Sequence, residues 1–324
     1  MKRIYCALLG LFVIAISCNK NDDNNDNPPA ENREWFKLRS MVYTSQNNTS
    51  SRFYYDSTYI SIDSVNNKII FHTIEGTTGN LDTSMKTFTY NDRYQLVLYE
   101  QIDTYDQLYI SRMEFVRDVD GKVSKVLSQY KDGLMASSEG LVKYDKRGDT
   151  TFVTFIDSTQ KHRYGYTDAN DFYQRGIVDD RVVYYKSYGK SSGKLDSSQT
   201  SYDYDAAGNL TTETYQYNNT TPVVYTYQHG SKTPKELQKF LSQWAGDLIW
   251  FTRSKLFGFA WELPTVSTFK GNVLLSKKQG STIVQSYANT FDAGGNLASV
   301  TWQEPDYGSP STIYTYGEKY YYHP

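Results

Sequence analysis

The sequence predicts an all-β fold: consecutive antiparallel hairpins forming one large curved or barrel-like sheet, with one amphipathic helix near 234–245. Three observations predict it. Short runs such as Thr87-Phe88-Thr89-Tyr90 and Thr214-Tyr215-Gln216-Tyr217 alternate in character residue by residue and are rich in β-branched and aromatic side chains, the pattern of half-buried strands. A turn recurs along the chain, built from an aromatic residue, Asp, two variable residues, Gly, one more residue and often an apolar one; turns between such runs mark hairpins. One segment, after Thr233, has its apolar residues at helical spacing instead.

The chain opens on a different kind of element. Met1-Lys2-Arg3 is basic, 4–16 is dominated by apolar residues, and Ala15-Ile16-Ser17 leads directly into Cys18. The apolar run falls well short of the ~20 residues that span a bilayer, so it reads as an export signal and not a membrane helix. With the cysteine at the cut it resembles a bacterial lipoprotein signal, which implies a lipid such as palmitate on Cys18. The expected organisation is a signal peptide over 1–17, a lipidated flexible tether over 18–34, and a single β domain over 35–324 with a helical insertion near 233–264.

The tether from Asn19 to Pro29 has no apolar side chain to bury, so nothing offsets the entropy of ordering it. Lys20, Asp22 and Asp23 look like the acidic export tags of Bacteroidota surface lipoproteins. The resemblance implies an outer membrane lipoprotein at the cell surface, with a periplasm-facing anchor as the alternative. Of the two cysteines, Cys6 lies in the signal and Cys18 is the lipid site, leaving no thiol in the body for a disulfide, a metal or a nucleophile. Without Lys2 and Arg3, 32 basic side chains stand against 36 acidic ones. No basic stripe is present, which argues against nucleic acid. The strands are also too polar for the continuous lipid-facing band of a transmembrane barrel.

The turn has its best copies at Tyr204-Asp205-Ala206-Ala207-Gly208-Asn209-Leu210 and Phe291-Asp292-Ala293-Gly294-Gly295-Asn296-Leu297. Asp145 and Gly148 keep its first half, Asp118 and Gly121 its second, and weaker copies begin at Tyr90 and Tyr166. Asp accepts backbone N–H bonds and starts a type I turn. Gly three residues later takes positive φ and closes the hairpin with a bulge. These segments resemble the YD repeats of the RHS family, in patches from about 85 to 300, although no toxin domain is evident and the repeats are too few to form that family's shell. The whole layout is similar to Bacteroidota lipoproteins described as having a porin-like fold, a resemblance that implies an architecture and no chemistry.

Thr233-Pro234-Lys235-Glu236 reads as a helix start, with Thr as cap, Pro at the first helical position and Glu completing a capping box. Leu237, Phe240, Leu241, Trp244 and Leu248 then form one stripe, expected to cover an open end of the sheet. The aromatic segment beyond it contributes Trp250 and Trp261 as candidate ligand-binding residues, together with Tyr54 and Tyr184 from Tyr-Tyr pairs.

A search for chemistry returns little. None of the four histidines stands at metal-ligand spacing with a second ligand, and no Gly-x-Ser-x-Gly elbow, phosphate loop or EF-hand loop occurs. Asp118, Asp145, Asp205 and Asp292 already have a turn to hold. The reading is a protein that is not an enzyme and needs no cofactor. It is expected to bind a glycan or another surface protein on an outward aromatic sheet face. The alternatives are a structural envelope component that engages neighbours through its sheet edges, and a glycan hydrolase with dispersed carboxylates.

Overall fold

The computed structural model describes residues 34–48, 53–77, 80–103, 109–132, 134–157, 172–191, 194–245, 248, 271–305 and 311–323. The chain divides into two units, Met1–Glu34 and Trp35–Pro324. The second is one sheet of eighteen strands. In chain order these are β1 Leu38–Asn47, β2 Phe53–Asp63, β3 Lys68–Thr77, β4 Asn80–Tyr90, β5 Leu96–Asp103, β6 Tyr109–Arg117, β7 Val123–Asp132, β8 Leu134–Arg147, β9 Thr150–Asp157, β10 Phe172–Val178, β11 Arg181–Ser191, β12 Lys194–Tyr204, β13 Leu210–Tyr217, β14 Val223–His229, β15 Leu274–Gln279, β16 Thr282–Phe291, β17 Leu297–Pro305 and β18 Ile313–Tyr322, with helix α1, Lys235–Ala245, between β14 and β15.

Every strand pairs antiparallel with its neighbour in sequence, and β18 pairs with β1 from Leu38↔Tyr322 to Asn47↔Tyr314. The sheet is therefore a closed up-and-down barrel, and closure leaves no strand edge to pair with another chain.

The Asp turns among the described residues fall at one end of this barrel. At three of them the Asp N–H donates to the carbonyl four residues on while the Gly N–H donates back to the Asp carbonyl, at 3.0 and 2.9 Å for Asp205 and Gly208. Gly121, Gly208 and Gly295 sit at φ of 79°, 86° and 82°, and the ladder slips by one residue beside each turn. The Asn91–Gln95 turn makes the same bonds with Tyr94 in the glycine position at φ 56°. A left-handed tyrosine costs about 1–2 kcal/mol. Burial of its ring against Trp35, edge-on at 6.0 Å, offsets that cost.

Two turns are built differently. Asp145 lies within β8 opposite Phe152, its carboxylate accepting from Arg147 at 2.7 Å, and the chain reverses over Gly148-Asp149 only. Between β10 and β11 both Asp179 and Asp180 take positive φ, a type I′ hairpin without glycine. The turn copy read at Tyr166 lies outside the described residues.

Eighteen strands enclose more space than wall side chains fill. At the Asp-turn end, α1 fills it. Leu237, Phe240, Leu241 and Trp244 are buried against the inward side chains Phe71, Phe88, Tyr99, Met113 and Phe115. Phe240 meets Phe36 edge-on at 4.8 Å, Trp244 meets Phe88 at 5.6 Å, and the Tyr90 hydroxyl donates to the Trp244 carbonyl at 2.9 Å. Four such side chains stabilise the plugged end by about 6–12 kcal/mol.

The groups read as a capping box serve tertiary contacts. The Thr233 hydroxyl donates to Asn272 Oδ1 at 2.8 Å, and Glu236 accepts from the Lys37 backbone at 3.0 Å. The C-terminus is held as well, the His323 N–H donating to the Lys37 carbonyl at 2.8 Å.

Alternation sends the other side chain set outward. On the outer wall Glu100 faces Arg112, Leu98 faces Glu114, and Lys125 pairs with Glu139 at 2.9 Å. Charged side chains at mid-strand face outward across this part of the wall.

Candidate functional site

Beyond the helix, toward the end bearing the β1–β2 and β17–β18 connections, the inner wall changes from buried and apolar to a mixture of Tyr and Trp rings with polar and acidic side chains. On the closing seam one registered row reads Tyr287↔Trp302↔Tyr316↔Ser45↔Tyr54, crossing β16, β17, β18, β1 and β2. Tyr43, two residues before Ser45 and hence on the same face, fills the gap that serine leaves. The rings form a continuous ladder: Tyr287 to Trp302 at 6.1 Å, Trp302 to Tyr316 at 5.3 Å and 19°, Tyr316 to Tyr43 at 6.3 Å and 30°, Tyr43 to Tyr54 at 6.1 Å. Tyr314 stacks on Tyr316 at 6.0 Å.

Hydrogen bonds fix the ladder's orientation. Trp302 Nε1 donates to Glu304 Oε1 at 3.1 Å, the Tyr287 hydroxyl donates to Gln285 Oε1 at 2.6 Å, and the Gln285 amide donates to Glu304.

One step deeper, toward the helix, a second registered row reads Val300↔Glu318↔Tyr43↔Asp56↔Glu75↔Asp82. Asp56 and Glu75 are a direct cross-strand pair, as are Glu75 and Asp82, an arrangement that brings like charges within about 5 Å at Cβ. Burial, reinforced by Glu75, pushes the Asp56 carboxyl up to about 6, while Lys86 and the Thr58 hydroxyl at 3.3 Å act in the other direction. The same two carboxylates, with burial as the larger cause, push the Tyr54 hydroxyl up to about 12. Glu318 is 3 % exposed and accepts from the Tyr320 hydroxyl, whose pKa burial raises well above the usual tyrosine range.

A third cluster lies on β13–β15. Lys277 sits 3.7 Å from Glu213 and over the faces of Tyr225, at 4.0 Å, and Tyr227, at 5.7 Å, while the Tyr227 hydroxyl donates to Glu213. Its charge is therefore already matched. Arg175, also inward, lies over Tyr185 at 5.2 Å.

Solvent reaches this half of the interior. Tyr173, Tyr215 and Tyr217 face inward by register, opposite Phe155, Thr200 and Ser198, yet stay 40, 37 and 42 % exposed. Among the described residues no group of three or more His, Cys, Asp or Glu side chains converges where a metal could sit.

The candidate residues from the sequence separate accordingly. Tyr54 belongs to the ladder. Tyr184 is on the outer wall, edge-on to Phe152 at 6.1 Å. Trp250 and Trp261 lie outside the described residues, as do His162 and the lipid and tag residues Cys18, Lys20, Asp22 and Asp23. Asp118, Asp205 and Asp292 hold turns at the opposite end from the ladder. His72 is an outer-wall strand residue, and His229 ties the carbonyls of Leu210, at 2.8 Å, and Asn272, at 3.1 Å. The continuous aromatic surface faces inward and not outward as expected. The acidic row carries no motif, since its members come from β18, β2, β3 and β4. Only Tyr54-Tyr55-Asp56 hints at it, because period two puts Tyr54 and Asp56 on one face.

No known protein family matches the sequence, and no curated protein matches it. Among solved structures the chain is similar to a porin-like protein from Bacteroides uniformis, with 11% identity, 88% of this chain and 98% of that one covered, and a TM-score of 0.43. It is also similar to part of the TcdB2-TccC3-Cdc42 structure, at 11% identity and a TM-score of 0.31 over 80% of this chain and 14% of that one. TcdB2-TccC3 without its hypervariable C-terminal region gives 11% identity and a TM-score of 0.29 over 80% and 14%.

Proposed function

We propose that this protein is a non-catalytic binding lipoprotein of the outer membrane, anchored through Cys18 and exposed at the cell surface, which holds a glycan inside the open half of its barrel. The observation that carries the reading is the inward ladder Tyr287–Trp302–Tyr316–Tyr43–Tyr54, a row of flat apolar faces with polar tips. Such rings stack on the apolar faces of sugar rings while their hydroxyls and neighbouring carboxylates take the sugar hydroxyls. An inward ladder favours a slender chain over a globular protein partner. Closure through β18–β1 removes the free edges that a spacer would use to engage its neighbours. The charged outer wall suits a body in water, held to the membrane by its lipid and not by its strands.

The test is a glycan array with the full-length chain in detergent, followed by titration of the best oligosaccharide against Tyr54→Ala and Tyr316→Ala. Loss of binding with the thermal midpoint retained supports the reading. Unchanged binding in both variants would remove the ladder from the site.

One observation favours a hydrolase as the second reading. Asp56 and Glu75 are adjacent carboxyls, and one is protonated more readily than usual, the division of roles that glycoside cleavage uses. Mass spectrometry of the bound oligosaccharide after prolonged incubation, with Asp56→Asn as control, separates capture from cleavage.

A further inference from the structure

The outer wall is not uniform. Over β5–β8 it carries charges of both signs, with Glu100, Arg112 and Glu114 facing outward. Over β18, β1, β2, β3 and β4 the outward side chains are of another kind. Three registered rows cross these five strands: Tyr321↔Ser40↔Tyr59↔His72↔Met85, Lys319↔Val42↔Ser57↔Ile74↔Thr83 and Gly317↔Thr44↔Tyr55↔Gly76↔Leu81. The rows contain no carboxylate, and their basic groups are Lys319 and His72. Tyr59, Ile74, Leu81 and Tyr321 are between 43 and 54 % exposed, large apolar surface that the fold leaves in water. Strand and row spacing give the patch roughly 20 Å on a side, or about 400 Å², the size at which exposed apolar surface on a monomer marks a contact site.

Area, charge and chain connectivity choose the occupant. A stable interface with a second copy takes about 800 Å² from each partner, twice what the patch offers, and the outer wall of a closed barrel is convex, so two copies would touch over less still. A lipid surface sets no such minimum where an acyl chain already holds the protein to it. It asks for tyrosines at headgroup level with aliphatic side chains among them, and for no carboxylates against anionic headgroups. The three rows meet each of these conditions. Trp35 leads directly into β1, one of the five strands of the patch, and the sixteen residues from Asn19 to Glu34 put the patch within about 55 Å of chain from Cys18.

We infer that this face of the barrel, centred on Tyr59 and Ile74, lies on the lipid surface to which Cys18 anchors the chain. The barrel then rests on its side, strands parallel to the membrane and the open mouth facing along it. The inference rests on the proposed lipid anchor and deepens it from a point of attachment to a fixed orientation.

The test uses the full-length lipidated chain in vesicles of phosphatidylethanolamine and phosphatidylglycerol. The body from Trp35 onward has no cysteine of its own, so an introduced thiol takes an environment-sensitive fluorophore. One variant carries it at Ile74→Cys and the other at Gln199→Cys, an exposed outer-wall position on β12. Nitroxide-labelled lipid should remove on the order of half of the Ile74 emission, an interfacial surface reaching about 5–10 Å into the headgroup boundary, and leave the Gln199 emission unchanged. Adding Tyr59→Glu and Leu81→Glu, both at exposed positions, should abolish that quenching with the thermal midpoint retained. Equal quenching of both probes, or of neither while the chain floats with the vesicles, overturns the inference and leaves the anchor standing. A chain that does not float with the vesicles overturns the anchor itself. An Ile74 probe that responds to protein density and not to the quencher has a second copy on this face, which also overturns the inference.

Discussion

Asn209 and Asn296 occupy the same place in two copies of one turn, and replacing each with alanine separates a local role from a tertiary one. In both, the side-chain amide donates to the Asp carboxylate four residues earlier, at 2.8 Å for Asn209 to Asp205 and 3.0 Å for Asn296 to Asp292. Both also donate their backbone N–H to the same carboxylate, a bond that alanine retains. Asn296 is partly exposed, and its bonds to Asp292 stay within the turn. Asn209 is 7 % exposed, and its Oδ1 accepts the N–H of Asn272 at 2.7 Å, where the chain returns from the helical region to β15. Gly271 packs against the same turn, its absent Cβ lying 3.0 Å from Asn209 Oδ1. Asn296→Ala removes one solvent-competed bond, worth about 0.5–1.5 kcal/mol. Asn209→Ala removes a similar bond and strands the Asn272 N–H, adding about 1–3 kcal/mol. The assay is urea unfolding followed by tryptophan fluorescence, compared with thermal midpoints. Asn209→Ala should lose at least twice the stability that Asn296→Ala loses. Equal losses would refute the claim that this turn anchors the returning chain.

Three other expectations follow from the same geometry. Gly295 sits at φ 82° with open space around its absent Cβ, so Gly295→Val should cost about 1 kcal/mol or more through backbone strain alone, read as a lower unfolding midpoint. Gly140 faces inward with Phe155 lying over it, the ring 2.1 Å from where a Cβ would stand; Gly140→Ala should cost about 1–3 kcal/mol, and Phe155→Leu should recover part of that in a double-mutant cycle. Asp56 is raised in the folded state from 3.8 to about 6, so the folded chain holds its proton more tightly than the unfolded one; its contribution favours folding at low pH and is lost as pH rises from about 4 through 6. Asp56→Asn should therefore stabilise the protein at pH 7 and flatten that part of the pH profile, whereas Asp205 and Asp292, lowered by their Asn partners, favour folding above about 4 and lose that contribution as pH falls below it.

The all-β class, the hairpin turns and the helix were legible because each is written in neighbouring residues. Alternation, an Asp with a Gly three later, and a 3.6-residue stripe are local periodicities whose physics needs nothing distant. The helix illustrates the limit: its position was readable from Leu237 to Trp244, but not that Thr233 and Glu236 would leave the cap for Asn272 and Lys37. Tyr94 in the glycine place of its turn shows the same override, since burial against Trp35 outweighs a local preference.

The candidate site was barely legible. Period two states that Tyr54 and Tyr55 point opposite ways, and likewise Tyr184 and Tyr185, but not which of each pair points in. That sign depends on which face of the sheet encloses α1, and hence on closure. By itself the sequence determined the strands, their turns and the helix. Only the tertiary structure decided that β18 meets β1. That pairing joins Glu318, Tyr316 and Trp302 to Tyr43, Tyr54 and Asp56 across more than 240 residues of chain. Register between distant strands is a property of the closed barrel and not of any window of sequence, and the ladder and its acidic row exist only in that register.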